Sequence, residues 1–200
     1  MRIIVTGGAG FVGTNLVKRL IVEGHDVVSL DNYSTGKREN EQDGCEYITG
    51  DINDKSLSLE SYDVIFHIAA LARIQPSLKD PSTCIEANVN GTLNILNLAR
   101  EHNIPVIYAG SSSVHHGLYG SPYAWSKHAG EQLCELFSTA FGLNTTICRF
   151  YNVYGPHQLE EGDYSTVLGI YERQYRNNQP LTITADGEQR RDFTHVNDIV

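Results

Sequence analysis

The chain has 200 residues, 40% hydrophobic and 20% charged, enough for one domain with a sizeable core and part of a second. Its net charge of −9 argues against nucleic acid as a general partner, because a phosphate backbone requires clustered Lys and Arg. No apolar run approaches the roughly 20 residues of a membrane-spanning helix. Four cysteines (Cys45, Cys84, Cys134, Cys148) lack disulfide or metal-ligand spacing, so the expectation is a cytoplasmic protein with free thiols and no metal site.

In chain order, short β-branched runs at 3–6, 26–30, 47–49, 64–68, 106–109 and 145–149 predict strands, while helical periodicity at 11–23, 81–102 and 123–141 predicts helices. This alternation predicts an α/β fold, a Rossmann-like doubly wound parallel sheet with helices on both faces. After Arg149 the chain becomes tyrosine-rich and punctuated by glycine, with a predicted helix at 166–176 and a strand at 181–184. Val196-Asn-Asp-Ile-Val200 reads as a strand end and a helix start capped by Asn197 or Asp198, and a helix needs more than one turn to hold itself. Continuation of the natural protein past Val200 is therefore expected.

Gly7, Gly10 and Gly13 lie between the first predicted strand and helix, where glycines permit a tight turn and let backbone amides approach a pyrophosphate. Asp31 ends the second strand, where its carboxylate can accept both ribose hydroxyls of NAD and would repel the extra phosphate of NADP. Lys37 and Arg38 nearby are equally read as solvated loop charges. Gly50-Asp51-Ile52 and His67-Ile68-Ala69-Ala70 place a carboxylate near an adenine and small side chains beside a pyrophosphate, although each alone also fits plain sheet packing.

Tyr123 and Lys127 stand at i and i+4, on one face of a predicted helix. Such a pair arises readily by chance in a tyrosine-rich chain, but here it follows a strand that ends in Ser111-Ser112-Ser113 at the ligand-binding edge of a parallel sheet. An ammonium beside the phenol, together with the positive nicotinamide of bound NAD⁺, would favour tyrosinate, which makes Tyr123 a candidate base for a carbinol proton. Ser111 would hold the same oxygen, or simply cap a strand end.

Thr6-Gly-Gly-Ala-Gly-Phe-Val-Gly13, Asp31-Asn-Tyr-Ser-Thr-Gly36, Asn88-Val-Asn-Gly-Thr92, Ser121-Pro-Tyr-Ala-Trp-Ser-Lys127, Arg149-Phe-Tyr-Asn-Val-Tyr-Gly-Pro156 and Arg191-Asp-Phe-Thr-His-Val196, together with the segments above, resemble the extended short-chain dehydrogenase/reductases. Within them the chain is similar to the NAD-dependent nucleotide-sugar epimerases and dehydratases, above all the UDP-glucose 4-epimerases. The resemblance implies hydride abstraction from sugar C4, rotation of a 4-keto intermediate and hydride return. It assigns Ser111, Tyr123 and Lys127 to the catalytic triad. It gives NAD contacts to Gly7, Gly10, Phe11, Val12, Gly13, Asp31, Asn32, Ser34, Thr35 and Gly36. Asp51, Ile52, Ile68, Ala69, Ala70, Ala72, Asn88 and Tyr151 complete that set with Tyr123 and Lys127. Nucleotide-sugar contacts fall to Ser111, Ser112, Tyr123, Asn152 and Arg191, where a guanidinium suits a diphosphate. The resemblance also implies a homodimer through the helices at 81–102 and 123–141.

Residues 1–150 are thus read as the NAD-binding domain and 151–200 as the start of the nucleotide-sugar region. Two departures narrow the chemistry. Dehydratases of this kind carry Asp and Glu after the position of Ser111, and decarboxylases usually carry Glu at that of Ser113, whereas this chain has serines. Val114-His115-His116-Gly117 replaces a Val-Tyr-Gly common in relatives, and the loop before Tyr123 is short, so His115 or His116 is read either as a sugar contact or as an ordinary loop residue. The alternatives to an epimerase are a dehydratase or reductase of the same fold, or a non-catalytic NAD-binding protein.

Overall fold

The computed structural model describes every residue except His116 and Thr184. Six strands form one parallel sheet: β1 (Arg2–Thr6), β2 (Asp26–Asp31), β3 (Cys45–Thr49), β4 (Val64–His67), β5 (Val106–Ser111) and β6 (Thr145–Phe150), in the order β3-β2-β1-β4-β5-β6. Its helices are α1 (Phe11–Val22), α2 (Ile74–Lys79), α3 (Pro81–Ile85), α4 (Gly91–His102), α5 (Pro122–Phe141) and α6 (Val167–Arg176). Two short strands, β7 (Val153–Tyr154) and β8 (Thr194–His195), pair in parallel as a separate ribbon.

The four central strands of the sheet are buried on both faces, the edge strands β3 and β6 only in part, and β1 shows why the sheet forms. Its side chains alternate, with Ile4 entering a core under α4 and α5 beside Ile65, Ile95, Leu96 and Phe137. Ile3 and Val5 enter a second core under α1 with Leu16, Val17 and Leu20. The strand order reverses between β1 and β4, and it is outside the carboxyl ends of strands at such a point that open α/β sheets bind ligands.

The predicted doubly wound fold is therefore present, with local corrections. The single helix expected over 81–102 is interrupted by a π-helical turn over Glu86–Asn90, held by polar side-chain bonds described below. Helix α2 was not anticipated, because Pro76 lies within it and it is only six residues long. The strand expected at 181–184 does not form over 181–183, which are irregular, and Thr184 lies outside the described residues. Neither Asn197 nor Asp198 is a helix cap: the His195 ring accepts from the Asn197 amide at 3.2 Å and opens a 3-10 turn over Val196–Asp198. Among the described residues no helix is long and apolar enough to cross a membrane. The four cysteines are free.

Candidate active site

A cleft of about 1940 Å³ runs along the carboxyl edge of the sheet. At one end it is floored by the turn from β1 into α1. Gly7 has φ +76° and a Cβ there would lie 2.8 Å from the Ala69 amide nitrogen, while a Cβ on Gly13 would collide with the Gly7 carbonyl. Gly10 caps α1 without a side chain, so the first-turn amides of that helix face the cleft unpartnered by the helix itself. This is a cradle shaped for an anion that approaches backbone closely.

Asp31 is buried at the tip of β2, where Oδ2 accepts from the Ala9 amide at 3.0 Å and Oδ1 from the Tyr33 amide at 2.8 Å. Its carboxylate is thereby fixed against the glycine turn, with lone pairs left for a diol. Asp51 accepts from the Asn53 amide at 2.8 Å and the Asn32 side chain at 2.9 Å, which hold its carboxyl below the usual range. Lys37 pairs with Glu39, and Arg38 with Glu41 and the Tyr33 ring, so the local loop neutralises both cations.

A chain of hydrogen bonds crosses the sheet behind the cleft. His67, 1% exposed, places Nδ1 2.7 Å from Thr6 Oγ1 and Nε2 3.0 Å from Thr92 Oγ1. Thr92 donates to the Asn88 carbonyl at 2.7 Å and Thr6 accepts from the Ala69 amide at 3.3 Å, which assigns the proton to Nε2. Burial, with Lys127 nearby, lowers the His67 pKa to about 3, so the ring is neutral. Asn88 accepts from the Leu71 amide at 2.8 Å and donates to the Leu71 carbonyl at 3.0 Å and to Ser126 Oγ at 2.9 Å. Asn88 therefore supports the 69–72 segment from behind the cleft wall. Gly36 is absent from the lining and packs against the Asp31 carboxylate. The other expected contact residues do line it, from Gly7 through Tyr151, Asn152 and Arg191.

At the far end, Ser121 caps α5 by accepting from the Ala124 amide at 3.1 Å, with Pro122 in the first turn. That cap sets the phase of the helix, which turns Tyr123 and Lys127 toward β5. Ser111 Oγ lies 3.2 Å from the Tyr123 hydroxyl. Lys127 is buried, with Nζ 4.2 Å from the centroid of the Tyr108 ring, and burial lowers its pKa to about 8. The expected lowering of the Tyr123 pKa by Lys127 is not what the structure presents. Burial raises the phenol, and the groups opposing burial are the Ser111 hydroxyl and the Arg73 guanidinium.

Arg73 was not anticipated from sequence, since nothing local marks it. It lines the cleft at the start of α2, donating Nε to the Tyr164 carbonyl and Nη1 to the Ala72 carbonyl, each at 2.8 Å. Beside it Lys79 pairs with Asp163 at 2.7 Å, so α2 is tied twice to the segment before α6. Ser113 also lines the cleft, with a buried hydroxyl that has no partner among the described residues. His115 stacks on Tyr151 with centroids 6.4 Å apart, at the cleft wall; His116 lies outside the described residues. Asn152 spends one amide proton on the Asp192 carbonyl at 2.9 Å and so anchors the Arg190–Phe193 strip along the cleft.

Fold and site together define a short-chain dehydrogenase-type enzyme: a dinucleotide cradle at one end of the cleft and a Ser/Tyr/Lys set at the other. The NAD dependent epimerase/dehydratase family model matches residues 3–200, and the chain belongs to that family, whose cofactor is NAD. The chain is 34% identical, over 98% of its length, to a putative UDP-glucose 4-epimerase of Methanocaldococcus jannaschii, of which it covers 70%. It is 32% identical, over its whole length, to a UDP-N-acetyl-alpha-D-glucosaminuronate decarboxylase of Bacillus cytotoxicus, of which it covers 68%. Its fold matches a Thermotoga maritima UDP-glucose 4-epimerase crystallised with UDP-glucose, with a TM-score of 0.94 and 30% identity, covering 100% of this chain and 71% of that one.

Proposed function

We propose that the protein is an NAD-dependent nucleotide-sugar 4-epimerase acting on a UDP-hexose. The observation that carries this is the Ser111 to Tyr123 contact of 3.2 Å beside buried Lys127, in a cleft whose next two strand-end residues are serines. Relatives of the chain include a decarboxylase, but the carboxylates that elimination or decarboxylation uses after the position of Ser111 are replaced here by Ser112 and Ser113.

NAD, when bound, supplies the acceptor and donor of hydride at sugar C4. The glycine turn, with Phe11 and Val12, would hold its pyrophosphate, Asp31 its adenosine ribose, and Asp51 and Ile52 its adenine end. Tyr123 takes the proton from the sugar hydroxyl and returns it after the keto sugar has turned over. Ser111 donates to or accepts from the same oxygen and so fixes its position. Lys127, one turn along α5 from Tyr123 and over the Tyr108 ring, contributes a positive charge to the same end of the cleft. Asn152 and Arg191 bind the diphosphate side of the substrate, within a nucleotide-sugar region that begins at residue 151.

We also assign a homodimer packed through α4 and α5, whose outer faces leave Leu93, Trp125, Leu136 and Phe141 exposed. A cytoplasmic location follows from the chemistry, since nucleotide sugars are cytoplasmic metabolites in this reading. The deciding experiment incubates the protein with UDP-glucose, UDP-N-acetylglucosamine and UDP-glucuronate and follows the anomeric protons by NMR. Formation of a 4-epimer without added cofactor is expected. A 4-keto-6-deoxy sugar, a pentose, or no change with NAD demonstrably bound would each overturn the assignment.

A further inference from the structure

The catalytic assignment uses two of three polar side chains that α5 turns toward the sheet. Tyr123, Lys127 and Glu131 stand at i, i+4 and i+8, and Glu131 is 1% exposed. A carboxylate this deep is tolerated only when its oxygens are bonded. Oε2 accepts from Arg149 Nε and Nη2 at 2.9 and 2.7 Å, while Oε1 accepts from the Ser111 amide at 3.3 Å. Gly110 admits it, because a Cβ there would lie 2.6 Å from Oε1. Ser111 is the residue at which β5 leaves the sheet, and its hydroxyl is the one that meets Tyr123. The backbone end of that contact is therefore gripped by Glu131.

Lys127 lies one turn back on the same face. The other groups around it are neutral His67 from β4, the Tyr108 ring from β5, Cys84 from α3 and Cys134 from α5. Burial raises both thiols and the Tyr108 phenol, so none of these carries negative charge at neutral pH. Desolvation of Lys127 is opposed by Cys134 first and then by Glu131 and Cys84, and of these Glu131, one turn along the same helix face, is the group that carries charge at neutral pH.

We propose that Glu131 is a positioning residue of the active site: its carboxylate fixes the Ser111 end of β5 and supplies the negative charge that keeps Lys127 an ammonium at neutral pH. The proposal rests on the roles given above to Ser111, Tyr123 and Lys127. Its test does not require turnover. Lys127 is one of five lysines, so the Cε resonances of the full chain can be followed through a pH titration. Glu131→Gln keeps the shape and an acceptor for Ser111 but removes the charge, and the Lys127 midpoint falls by about one pH unit. Glu131→Asp keeps the charge and leaves the midpoint near its native value, whereas a purely structural role for Glu131 predicts no difference between the two variants. A midpoint unmoved in Glu131→Gln, or moved equally in Glu131→Asp, overturns the proposal, and Glu131→Met, which fills the same space without charge, takes the place of Glu131→Gln if that variant does not fold. In single-turnover reduction of bound NAD by a nucleotide sugar, the loss of rate at high pH begins about one unit lower in Glu131→Gln, and an unshifted profile counts against the proposal. If the native protein reduces no bound NAD with any nucleotide sugar, the epimerase reading fails, while the lysine titration still decides the role of Glu131.

Discussion

At the cofactor end of the cleft the working surface is backbone, a three-glycine turn that excludes a Cβ at Gly7 and Gly13, backed by one fixed carboxylate on Asp31. At the reacting end the surface is side chain, with Ser111, Tyr123 and Lys127 partly or wholly withdrawn from water and Glu131 behind them. The first end selects by shape, since amides that close to the surface accept only a ligand that can lie against main chain. The second stores charge in a place where charge is unfavourable, which is how side chains acquire protonation equilibria suited to neutral pH. Binding and chemistry thus rest on different physical terms and separate under mutation.

The sharpest separation is expected from Tyr123→Phe. Turnover falls by about 10²- to 10⁴-fold, the usual contribution of a positioned proton acceptor, while NAD stays bound and the fold is retained. Unchanged turnover, measured by NMR on the epimerised sugar, would falsify the assigned base. Gly13→Ala does the opposite. Its methyl meets the Gly7 carbonyl, and NAD affinity by calorimetry drops about 10²-fold, equivalent to about 3 kcal/mol, while the Ser111 to Tyr123 geometry is untouched.

Lys127→Met tests whether the reacting end is held at the expense of stability. A lysine whose pKa falls from 10.5 to about 8 on folding destabilises the native state at every pH below 8, and the penalty fades as pH rises through that window. The variant is therefore expected to unfold at higher urea at pH 7, by about 1–3 kcal/mol, while losing turnover. A less stable Lys127→Met would mean that the contact with Tyr108 outweighs desolvation. The smallest effect is a slope. His67 titrates at about 3 when folded against 6.5 in its ordinary state, so the unfolded chain binds the extra proton between those values and stability is lost as pH falls below 6.5. The slope is at most about 1.4 kcal/mol per pH unit, and His67→Asn flattens it in urea titrations at pH 4 to 7. An unchanged slope would place the acid sensitivity in other groups.

Sequence legibility follows the same division. The glycine turn, the six strands of the main sheet and the Tyr123/Lys127 pair are local patterns, and each stands where the spacing predicts it. Asn88 was visible, but only the fold reveals that its amide is spent on Leu71 and Ser126. The break in the helix at 86–90 was unreadable, since the polar bonds that sustain it come from residues far away in the chain. Arg73 carries no local signature, its place being set by the Tyr164 carbonyl 91 residues on. Glu131 could have been found, because it continues the four-residue step of Tyr123 and Lys127. What sequence alone lacked was Gly110, the opening through which its carboxylate reaches the strand.

The β7–β8 ribbon joins residues 153–154 to 194–195 and closes the roughly forty residues between them into an excursion that Arg73 and Lys79 also hold at Tyr164 and Asp163. Contacts of such long range form late in folding, and a two-residue pairing is among the least costly to release. Amide hydrogen exchange should therefore find this excursion opening as one cooperative unit, well below the free energy that protects β1, β4 and β5.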